Sequence, residues 1–461
     1  MQNLINIINA IKFNNLKIFF IWFLILAGVN INVSHYVFSQ EFDFIKYLYS
    51  IRLYTQFFIF LVLFYLNLKY WEKIKSVNLF FYLFLLYNII QIISLILSEN
   101  SNLNLIYNIS SINLLLILNL IFYKETKEIN KIFFFFITIV FIIYGWFYLE
   151  KIFRLIFENK IFYGHYDKSL LLPSIISPRT SGIGRMALTL LIFSLIYFNF
   201  NTIKQRLFLS IFIVPGIFMT QSRLIVGIYL LFLCVISLSK FFNYKNLQLN
   251  NLKFIFIYLL IIPLLFSFSI SQLKQSNIEH IKEAIAESFK EKELEKKQHY
   301  QDRIMIIADL QFNSSHYHSN YSTYKIVRKI DPKSFTSFRL RDWNNLIIRT
   351  KDNLFIGNGT QSDRFLINQS ASNAALYFFS SSGLIGFSLF LLLWVYIILN
   401  ILRKKNYLKN DLNENNTFTF SIFLVFVLFL RSIFESSYAV FGIDQILFVI
   451  SSYVICYEKR A

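Results

Sequence analysis

Three arginines lie in short polar stretches that flank apolar runs: Arg179 in "SPRTSGIGR", Arg223 in "TQSRLIVG" and Arg339 in "SFRLRDW". A guanidinium group stays charged when it is partly desolvated, and it binds phosphate through two parallel hydrogen bonds. An arginine beside an apolar segment usually has an anionic partner or a water-filled cavity. These positions therefore predict a site for phosphate or pyrophosphate, although each arginine alone also fits a side chain that reaches lipid headgroups.

The residues beside two of these arginines favour a ligand site. Gly182 and Gly184 follow Arg179 and would let the backbone approach a ligand closely. Ser222 adds a hydroxyl group directly before Arg223. Small and hydroxyl-bearing neighbours are what an anion-binding loop needs, so the predicted site extends beyond the charges themselves.

Two further stretches combine polar residues with a predicted helix. Arg339 and Trp343 are four positions apart, which places them on one face of a short helix. Ser372 and Asn373 open the stretch "SNAALYFFSSSGLIG" (372–386), which leads directly into an apolar run. Polar residues are unexpected at a position where a chain is about to enter lipid.

Long apolar segments dominate the chain. Of its 461 residues, 56% are hydrophobic and only 15% are charged, which is rare in soluble domains. A helix of about 20 apolar residues spans the ~30 Å hydrocarbon layer of a membrane. The sequence therefore predicts an all-α polytopic membrane protein. Its first apolar run is predicted as an uncleaved span, because no small-residue cleavage pattern follows it.

The predicted architecture has about twelve transmembrane helices, with one long, partly helical extracytoplasmic loop between helices 9 and 10. Helices 1–9 occupy residues 1–271, the loop occupies 272–373, and helices 10–12 with a cytoplasmic tail occupy 374–461. The predicted spans are 17–37, 54–69, 78–98, 103–123, 131–150, 184–200, 206–221, 223–240, 253–271, 374–400, 417–433 and 438–457.

The lysines and arginines set the predicted orientation. With both chain ends in the cytoplasm, the cytoplasmic segments hold nineteen of the 45 basic residues, and the short outside segments hold ten. Positive charge marks the cytoplasmic side of short loops but does not govern long ones. The long segment 272–373, with sixteen basic residues, is therefore predicted to lie outside. Its Glu/Lys-rich first part predicts a solvated helix over the spans.

The net charge of +19 at pH 7 does not indicate nucleic-acid binding, because the loops between the spans account for it. Cys234 and Cys456 both fall in apolar runs, which is not the pattern of a disulfide framework or a metal site. The chain has no dense group of carboxylates or of His and Cys residues that would demand a metal. The sequence therefore predicts no cofactor and no metal.

In their order along the chain, these motifs resemble those of the O-antigen ligase and O-antigen polymerase family. "RTSG" at 179–182 is similar to an Arg-x-x-Gly before the sixth span, and Ser-Arg at 222–223 to a Ser-Arg before an apolar run. Arg339, Trp343 and "LFIGNG" at 354–359 fit the register of Arg-x-x-x-Trp followed by Leu-Phe-x-Gly-x-Gly. "SNAALYFFSSSGLIG" is similar to the His-Asn…Gly-Leu-Ile-Gly that leads into the tenth span.

This resemblance, which runs roughly from residue 175 to 400, implies a membrane glycosyltransferase. Such an enzyme moves glycan from a polyprenyl-pyrophosphate carrier to an acceptor glycan or lipid core, on the outer face of the bacterial inner membrane. Membrane lipids and a chain-length regulator are further implied partners. The catalytic residues carried over to this chain are Arg179, Arg223, Arg339, Ser372 and Asn373.

Ser372 departs from the family pattern, because the ligases carry at that position a histidine that serves in acceptor activation. An unactivated serine hydroxyl is a poor general base near neutral pH. The sequence therefore favours the polymerase branch, in which that histidine is not general. The base itself stays open among His316, His318, Asp342 and Asp363.

Three alternatives remain. An O-antigen ligase acting on a lipid A core would need a displaced base. "EFD" at 41–43 lies in the first outside loop, where another class of lipid-carrier glycosyltransferases keeps an acidic base or metal ligand. A transporter or flippase of lipid-linked sugars would carry charges deep in several spans. Arg431 and Glu435 are instead predicted to form a structural ion pair, since they are four positions apart.

Reporter fusions test the predicted orientation. A reporter fused near residue 300 should read outside and one fused near residue 406 inside, because basic residues concentrate in the segments assigned to the cytoplasm. Paired reporters that are active on opposite sides of the membrane give the measurement. A cytoplasmic signal at residue 300 would overturn both the orientation and a reaction on the outer face.

Overall fold

The chain is mostly helical in the part that the computed structural model describes, and no strand occurs in that part. The all-α prediction is therefore confirmed for those residues. The predicted first span at 17–37 and the Glu/Lys-rich part of the long loop lie outside them. The described residues are 43–69, 78–98, 104–124, 134, 136–150, 180–197, 203–219, 223–241, 255–263, 339–367, 370–404 and 412–456.

The helices are numbered in chain order, with two π-helical turns named separately. The α-helices are α1 Asp43–Lys69, α2 Leu79–Leu97, α3 Leu105–Lys124, α4 Phe136–Glu150, α5 Thr180–Tyr197, α6 Ile203–Phe208, α7 Val214–Met219, α8 Arg223–Phe241, α9 Arg339–Thr350, α10 Ser362–Ile367, α11 Ala374–Lys404, α12 Leu412–Ser432 and α13 Ile443–Cys456. The π-helical turns are π1 Leu209–Ile213 and π2 Ile255–Ile261. Among the described helices, α2 and α11 are long and apolar enough to cross a membrane.

The helices belong to two compact units. The first unit contains α1–α3 and α9–α13, and the second contains α4–α8 with both π-helical turns. Each unit has its own buried apolar core. The first unit carries the motifs of the long loop and of the run that follows it.

Buried amide side chains join α1 to α3 in the first unit. Asn113 Nδ2 donates to Gln56 Oε1 at 3.0 Å, and Asn119 Nδ2 donates to Asn67 Oδ1 at 2.8 Å. All four residues are buried. Because a buried polar group without a partner costs free energy, these pairs fix the register of the two helices.

Helix α2 packs against the first turns of α11. The ring of Tyr87 stacks on that of Phe378, with centroids 4.2 Å apart. Gln91 Nε2 donates to the Tyr87 hydroxyl at 2.7 Å and lies 2.9 Å from Ser381 Oγ. Asn78 begins α2 by accepting the N–H of Phe80 at 3.1 Å, as N-cap residues do.

Helix α11 is broken at Gly383, whose backbone has φ 62° and ψ −156°. The break separates two N–H groups from the carbonyl groups that they would meet in an unbroken helix. The loop 354–359 supplies new partners for all four groups. The four bonds are Asn358 N to Ser380 O (2.9 Å), Gly359 N to Ser381 O (2.9 Å), Leu384 N to Leu354 O (2.8 Å) and Ile385 N to Phe355 O (3.3 Å).

Glycine is required on both sides of this contact. Gly357 and Gly383 have φ values of 82° and 62°, which residues with a Cβ rarely adopt. A Cβ on Gly357 would lie 2.5 Å from the backbone N of Gly383, and one on Gly383 would overlap the Phe355 carbonyl group. The motifs "LFIGNG" and "GLIG" therefore meet backbone to backbone. This contact between 354–359 and 380–385 is called the backbone junction below.

Tyrosine hydroxyls compensate for a proline in the second unit. Pro215 lies just after π1 and has no N–H for the carbonyl of Ile211, four residues earlier. Tyr148 of α4 donates its hydroxyl to that Ile211 carbonyl. One turn earlier on α4, the Tyr144 hydroxyl lies 2.6 Å from the Phe212 carbonyl oxygen. The carbonyl group that proline leaves without a helical partner is thus satisfied from a neighbouring helix.

The same arrangement recurs at π2. Pro263 has no N–H for the carbonyl of Leu259, and Tyr229 of α8 donates its hydroxyl there. In a π-helix the partner is five residues back, which makes Tyr258 the other carbonyl that Pro263 cannot serve. The Ser210 hydroxyl of π1 lies 2.6 Å from the Tyr258 carbonyl oxygen. Both π-helical turns are therefore held by side-chain hydroxyls.

Substituting a junction glycine should destabilise the protein severely. Left-handed backbone costs about 1–3 kcal/mol for a residue with a side chain, and both Gly357→Ala and Gly383→Ala also force a Cβ into backbone atoms. The thermal midpoint of the purified protein should fall in both variants. Gly227→Ala is the control, because its Cβ would meet nothing within 4 Å. An unchanged midpoint in Gly383→Ala would contradict the broken geometry of α11.

Candidate functional site

Helix α9 carries the first candidate arginine and is fixed by its tryptophan. Arg339 begins the helix, and Trp343 lies one turn further along the same face. The Trp343 Nε1 donates to the carbonyl of Ala371 at 2.8 Å. Leu346, one turn beyond, is fully buried. Helix α9 therefore packs on the segment that leads into α11, which places Arg339 near that entrance.

Asp363 of α10 fixes the same segment. Its side chain is buried, and it accepts the N–H of Ala371 at 2.7 Å through Oδ2 and the N–H of Arg364 at 2.9 Å through Oδ1. Burial raises the pKa of Asp363 above its usual value, while the Arg364 charge and the backbone N–H groups act in the opposite direction. Because both oxygens hold backbone groups, Asp363 has a structural role, although it was a candidate base.

Asn373 caps α11 and ties it to the turn after α12. Its Oδ1 accepts the N–H of Leu376 at 2.9 Å, and its Nδ2 donates to the carbonyl of Ile433 at 2.9 Å. Ser372, directly before it, has a left-handed backbone with φ 49°. The Ser372 hydroxyl lies 3.4 Å from the Ser370 carbonyl oxygen, which is long for a hydrogen bond. The two neighbouring polar residues therefore differ, since Asn373 is structurally committed and Ser372 is not.

The turn 433–437 between α12 and α13 is stabilised by ion pairs. Arg431, two residues before it, is buried; its Nη2 pairs with Glu435, and its Nη1 lies 2.5 Å from Oδ2 of Asp444. The predicted pair of Arg431 and Glu435 thus forms, but it closes a turn, because α12 ends before Glu435. Asp444 was not predicted, although a carboxylate next to an apolar run usually has a cationic partner.

Residues from α9 and from the start of α11 meet at this turn. The Arg339 guanidinium carbon lies 6.0 Å from the ring centroid of Phe434, within range of a cation–π interaction. Ser370 Oγ lies 3.2 Å from Ser436 Oγ, and Asn373 binds the same turn through its amide. The resulting group is called the mouth cluster, and its members are Arg339, Trp343, residues 370–373 and the turn 433–437.

The other predicted site residues are placed elsewhere or lie outside the described residues. Arg223 begins α8 in the second unit, and its side chain is outside the description. Asp342 lies in α9 and is partly exposed, and Asp43 of the "EFD" stretch begins α1. The candidates outside the described residues are Glu41, Arg179, His316 and His318.

The positions of Gly182 and Gly184 differ from the prediction that they let the backbone approach a ligand. Both lie inside α5 and are buried. Small residues at buried positions of apolar helices let neighbouring helices approach closely. Their position therefore favours helix packing, and α5 begins at Thr180, four residues before the predicted span at 184–200.

The mouth cluster is suited to an anionic ligand. It presents the Arg339 guanidinium, which stays charged, at the entrance of an apolar helix. Within the described ranges, no group of three or more His, Cys, Asp or Glu side chains is placed to hold a metal ion. The chemistry that these residues offer is binding of phosphate oxygens and stabilisation of negative charge.

No protein-family model, curated protein or solved structure matches the chain. Function is therefore inferred from the residues and their geometry.

For the glycan transfer that the resemblance implies, Asn373→Ala should reduce glycan formation more than Ser372→Ala. The Asn373 amide makes two hydrogen bonds at the start of α11, each worth about 1 kcal/mol, whereas the Ser372 hydroxyl contributes little to the structure. Glycan ladders from the variants are compared at equal protein levels. The double variant His316→Ala/His318→Ala is included because a ligase with a displaced base would need one of these histidines. If Ser372→Ala is inactive while the double-histidine variant is active, the Ser372 hydroxyl takes a direct part in the reaction.

Proposed function

We propose that the chain is a membrane glycosyltransferase that polymerises polyprenyl-pyrophosphate-linked glycan repeats on the outer face of the bacterial inner membrane. The observation that carries this proposal is the mouth cluster, in which Arg339 and the capped start of α11 meet at one turn. The backbone junction adds support, because the motifs that resemble the O-antigen polymerase family form one structural element.

In this proposal about twelve spans cross the membrane, and both chain ends lie in the cytoplasm. Helix α11 is long and apolar enough to cross it. Asn373 lies at its first turn, and Arg403 and Lys404 lie in its last turn. Basic residues favour the cytoplasmic end of a span, which supports an outer position for the mouth cluster.

The proposed reaction joins two lipid-linked glycans. A sugar hydroxyl of the acceptor attacks the anomeric carbon of the donor, and the bond from that carbon to the pyrophosphate oxygen breaks. Arg339 binds the pyrophosphate and offsets the negative charge that grows on it. Because polyprenyl pyrophosphate is a good leaving group, the enzyme mainly positions the acceptor and stabilises this charge.

The surroundings of Ser372 favour a polymerase over a ligase. At the position where ligases of the resembled family carry a histidine, this chain has a serine. Its hydroxyl lies 3.4 Å from the Ser370 carbonyl oxygen, and its backbone N–H lies 3.3 Å from Ser370 Oγ. The carbonyl group does not remove a proton from this hydroxyl. Acceptor activation by this residue, as the ligases perform it, therefore has no counterpart here.

Deleting the protein from its source cell distinguishes the functions. Loss of the glycan ladder with a single repeat left on the lipid core supports the polymerase. Loss of all repeats from the core, with lipid-linked polymer accumulating, would indicate a ligase. An unchanged outer glycan with build-up of lipid-linked repeats in the cytoplasm would indicate a transporter.

Arginine variants test the proposed role of each arginine. Arg179→Ala, Arg223→Ala and Arg339→Ala should each abolish most polymer formation at normal protein levels, because loss of one preorganised donor costs about 10²–10³ in rate. Lysine at the same positions should restore little polymer formation, since it cannot bind a phosphate through two parallel hydrogen bonds. Lys351→Ala is the control, as this lysine is exposed just after α9. Normal ladders in all three alanine variants would mean that these arginines bind headgroups.

A further inference from the structure

The proposed reaction needs a group that takes the proton of the attacking hydroxyl. Two of the described carboxylates near the mouth cluster are buried and bonded to other groups. Asp363 gives both oxygens to backbone N–H groups. Asp444 is buried, and its Oδ2 binds Arg431 and accepts the Ser437 hydroxyl at 3.2 Å. Neither of these two carboxylates is placed to meet a substrate.

Glu435 lies in the middle of the turn that the site residues contact. The Arg339 guanidinium lies over the ring of Phe434, the residue directly before Glu435. Ser436, directly after it, meets the Ser370 hydroxyl from the segment leading into α11. Glu435 therefore lies within the mouth cluster, between a residue that contacts Arg339 and one that contacts Ser370.

The Glu435 carboxylate is held through one oxygen and open at the other. Its Oε2 pairs with Nη2 of Arg431, whereas Oε1 accepts no hydrogen bond from the part of the chain that the structure describes. The Glu435 side chain is 28% exposed, and that of Asp444 is 7% exposed. Of the two carboxylates that pair with Arg431, only Glu435 can reach a ligand.

Arg431 has a second carboxylate partner besides Glu435. Arg431 carries one positive charge, and the buried Asp444 at 2.5 Å already offsets it. Arg431 Nε is buried without a hydrogen-bond partner among the described residues, so the arrangement does not fully satisfy the arginine. Glu435 is the more exposed of the two carboxylates that pair with Arg431, and an ion pair at a partly exposed position contributes little to stability.

We propose that Glu435 is the general base of this enzyme, a role that rests on the proposed glycosyl transfer. Its Oε1 takes the proton of the acceptor hydroxyl as that oxygen bonds to the anomeric carbon. The bond from that carbon to the pyrophosphate oxygen breaks, and its electron pair leaves with polyprenyl pyrophosphate. Glu435 then gives the proton to water. Arg431 holds Oε2 and so fixes the direction of the carboxylate.

Glu435→Gln tests this role, with Asp444→Asn as the matched control on the other side of Arg431. Glutamine keeps an oxygen to face Arg431 but cannot serve as the base. Full-length variants are purified and placed in vesicles with lipid-linked glycan extracted from cells that lack the enzyme. Single-turnover rate, affinity for polyprenyl pyrophosphate and thermal midpoint are measured on the same samples.

Glu435→Gln should lower the single-turnover rate by about 10²–10³-fold and leave the affinity and the midpoint close to those of the natural protein. Asp444→Asn should lower the midpoint and keep most of the rate. Glu435→Asp draws the carboxylate back by one methylene and should keep the affinity while losing about 10- to 100-fold in rate. The aspartate variant decides the matter if the glutamine variant does not fold.

A Glu435→Gln or, failing that, a Glu435→Asp enzyme that turns over at the natural rate overturns the assignment. Rate losses in the Glu435 and Asp444 variants that simply follow their losses in thermal midpoint also overturn it, because they indicate a structural ion pair. If the natural protein makes no polymer from the lipid-linked glycan, the proposed glycosyl transfer is wrong. The assignment of Glu435 as its general base is then wrong as well.

Discussion

A helix that is interrupted inside an apolar environment must find new partners for its freed backbone groups. In this protein that constraint acts at Gly383 and is met by the loop 354–359. Each freed N–H and carbonyl group that stays unpaired in such surroundings would cost about 1–3 kcal/mol. The loop is held from its other side as well, since Asn108 of α3 donates to Thr360 at 2.6 Å. The positions of α9 and α10, which flank this loop, follow from the break in α11, and so does the position of Arg339.

Local patterns in the sequence were sufficient for some of these features. The helical class follows from long apolar runs, and the shared face of Arg339 and Trp343 follows from their spacing. The break at Gly383 did not follow, because "GLIG" leads into an apolar run that looks continuous. The ion pair between Arg431 and Asp444 was also not predicted, since helix periodicity carries no information about contacts between helices. What the sequence left open is thus mainly long-range pairing.

Burial separates carboxylates that look alike in the sequence. Asp363 and Asp444 are buried and bonded on the inner side of the mouth cluster, where they hold backbone or arginine in place. Glu435 lies closer to solvent, with part of its side chain accessible. The same residue chemistry therefore divides into a supporting layer and an outer layer. A supporting layer of this kind keeps the functional groups above it in one orientation.

The hydroxyls that compensate for Pro215 and Pro263 also bear on how the chain is made. Tyr148 precedes Pro215 along the chain, and Tyr229 precedes Pro263. A ribosome produces the donor helix first, so a hydroxyl already exists when each proline-bearing segment emerges with a carbonyl that its own helix cannot satisfy. A circular permutant that begins after Tyr229 would reverse this order for Pro263. The Leu259 carbonyl would then have no hydroxyl donor until Tyr229, at the end of the permuted chain, had been translated.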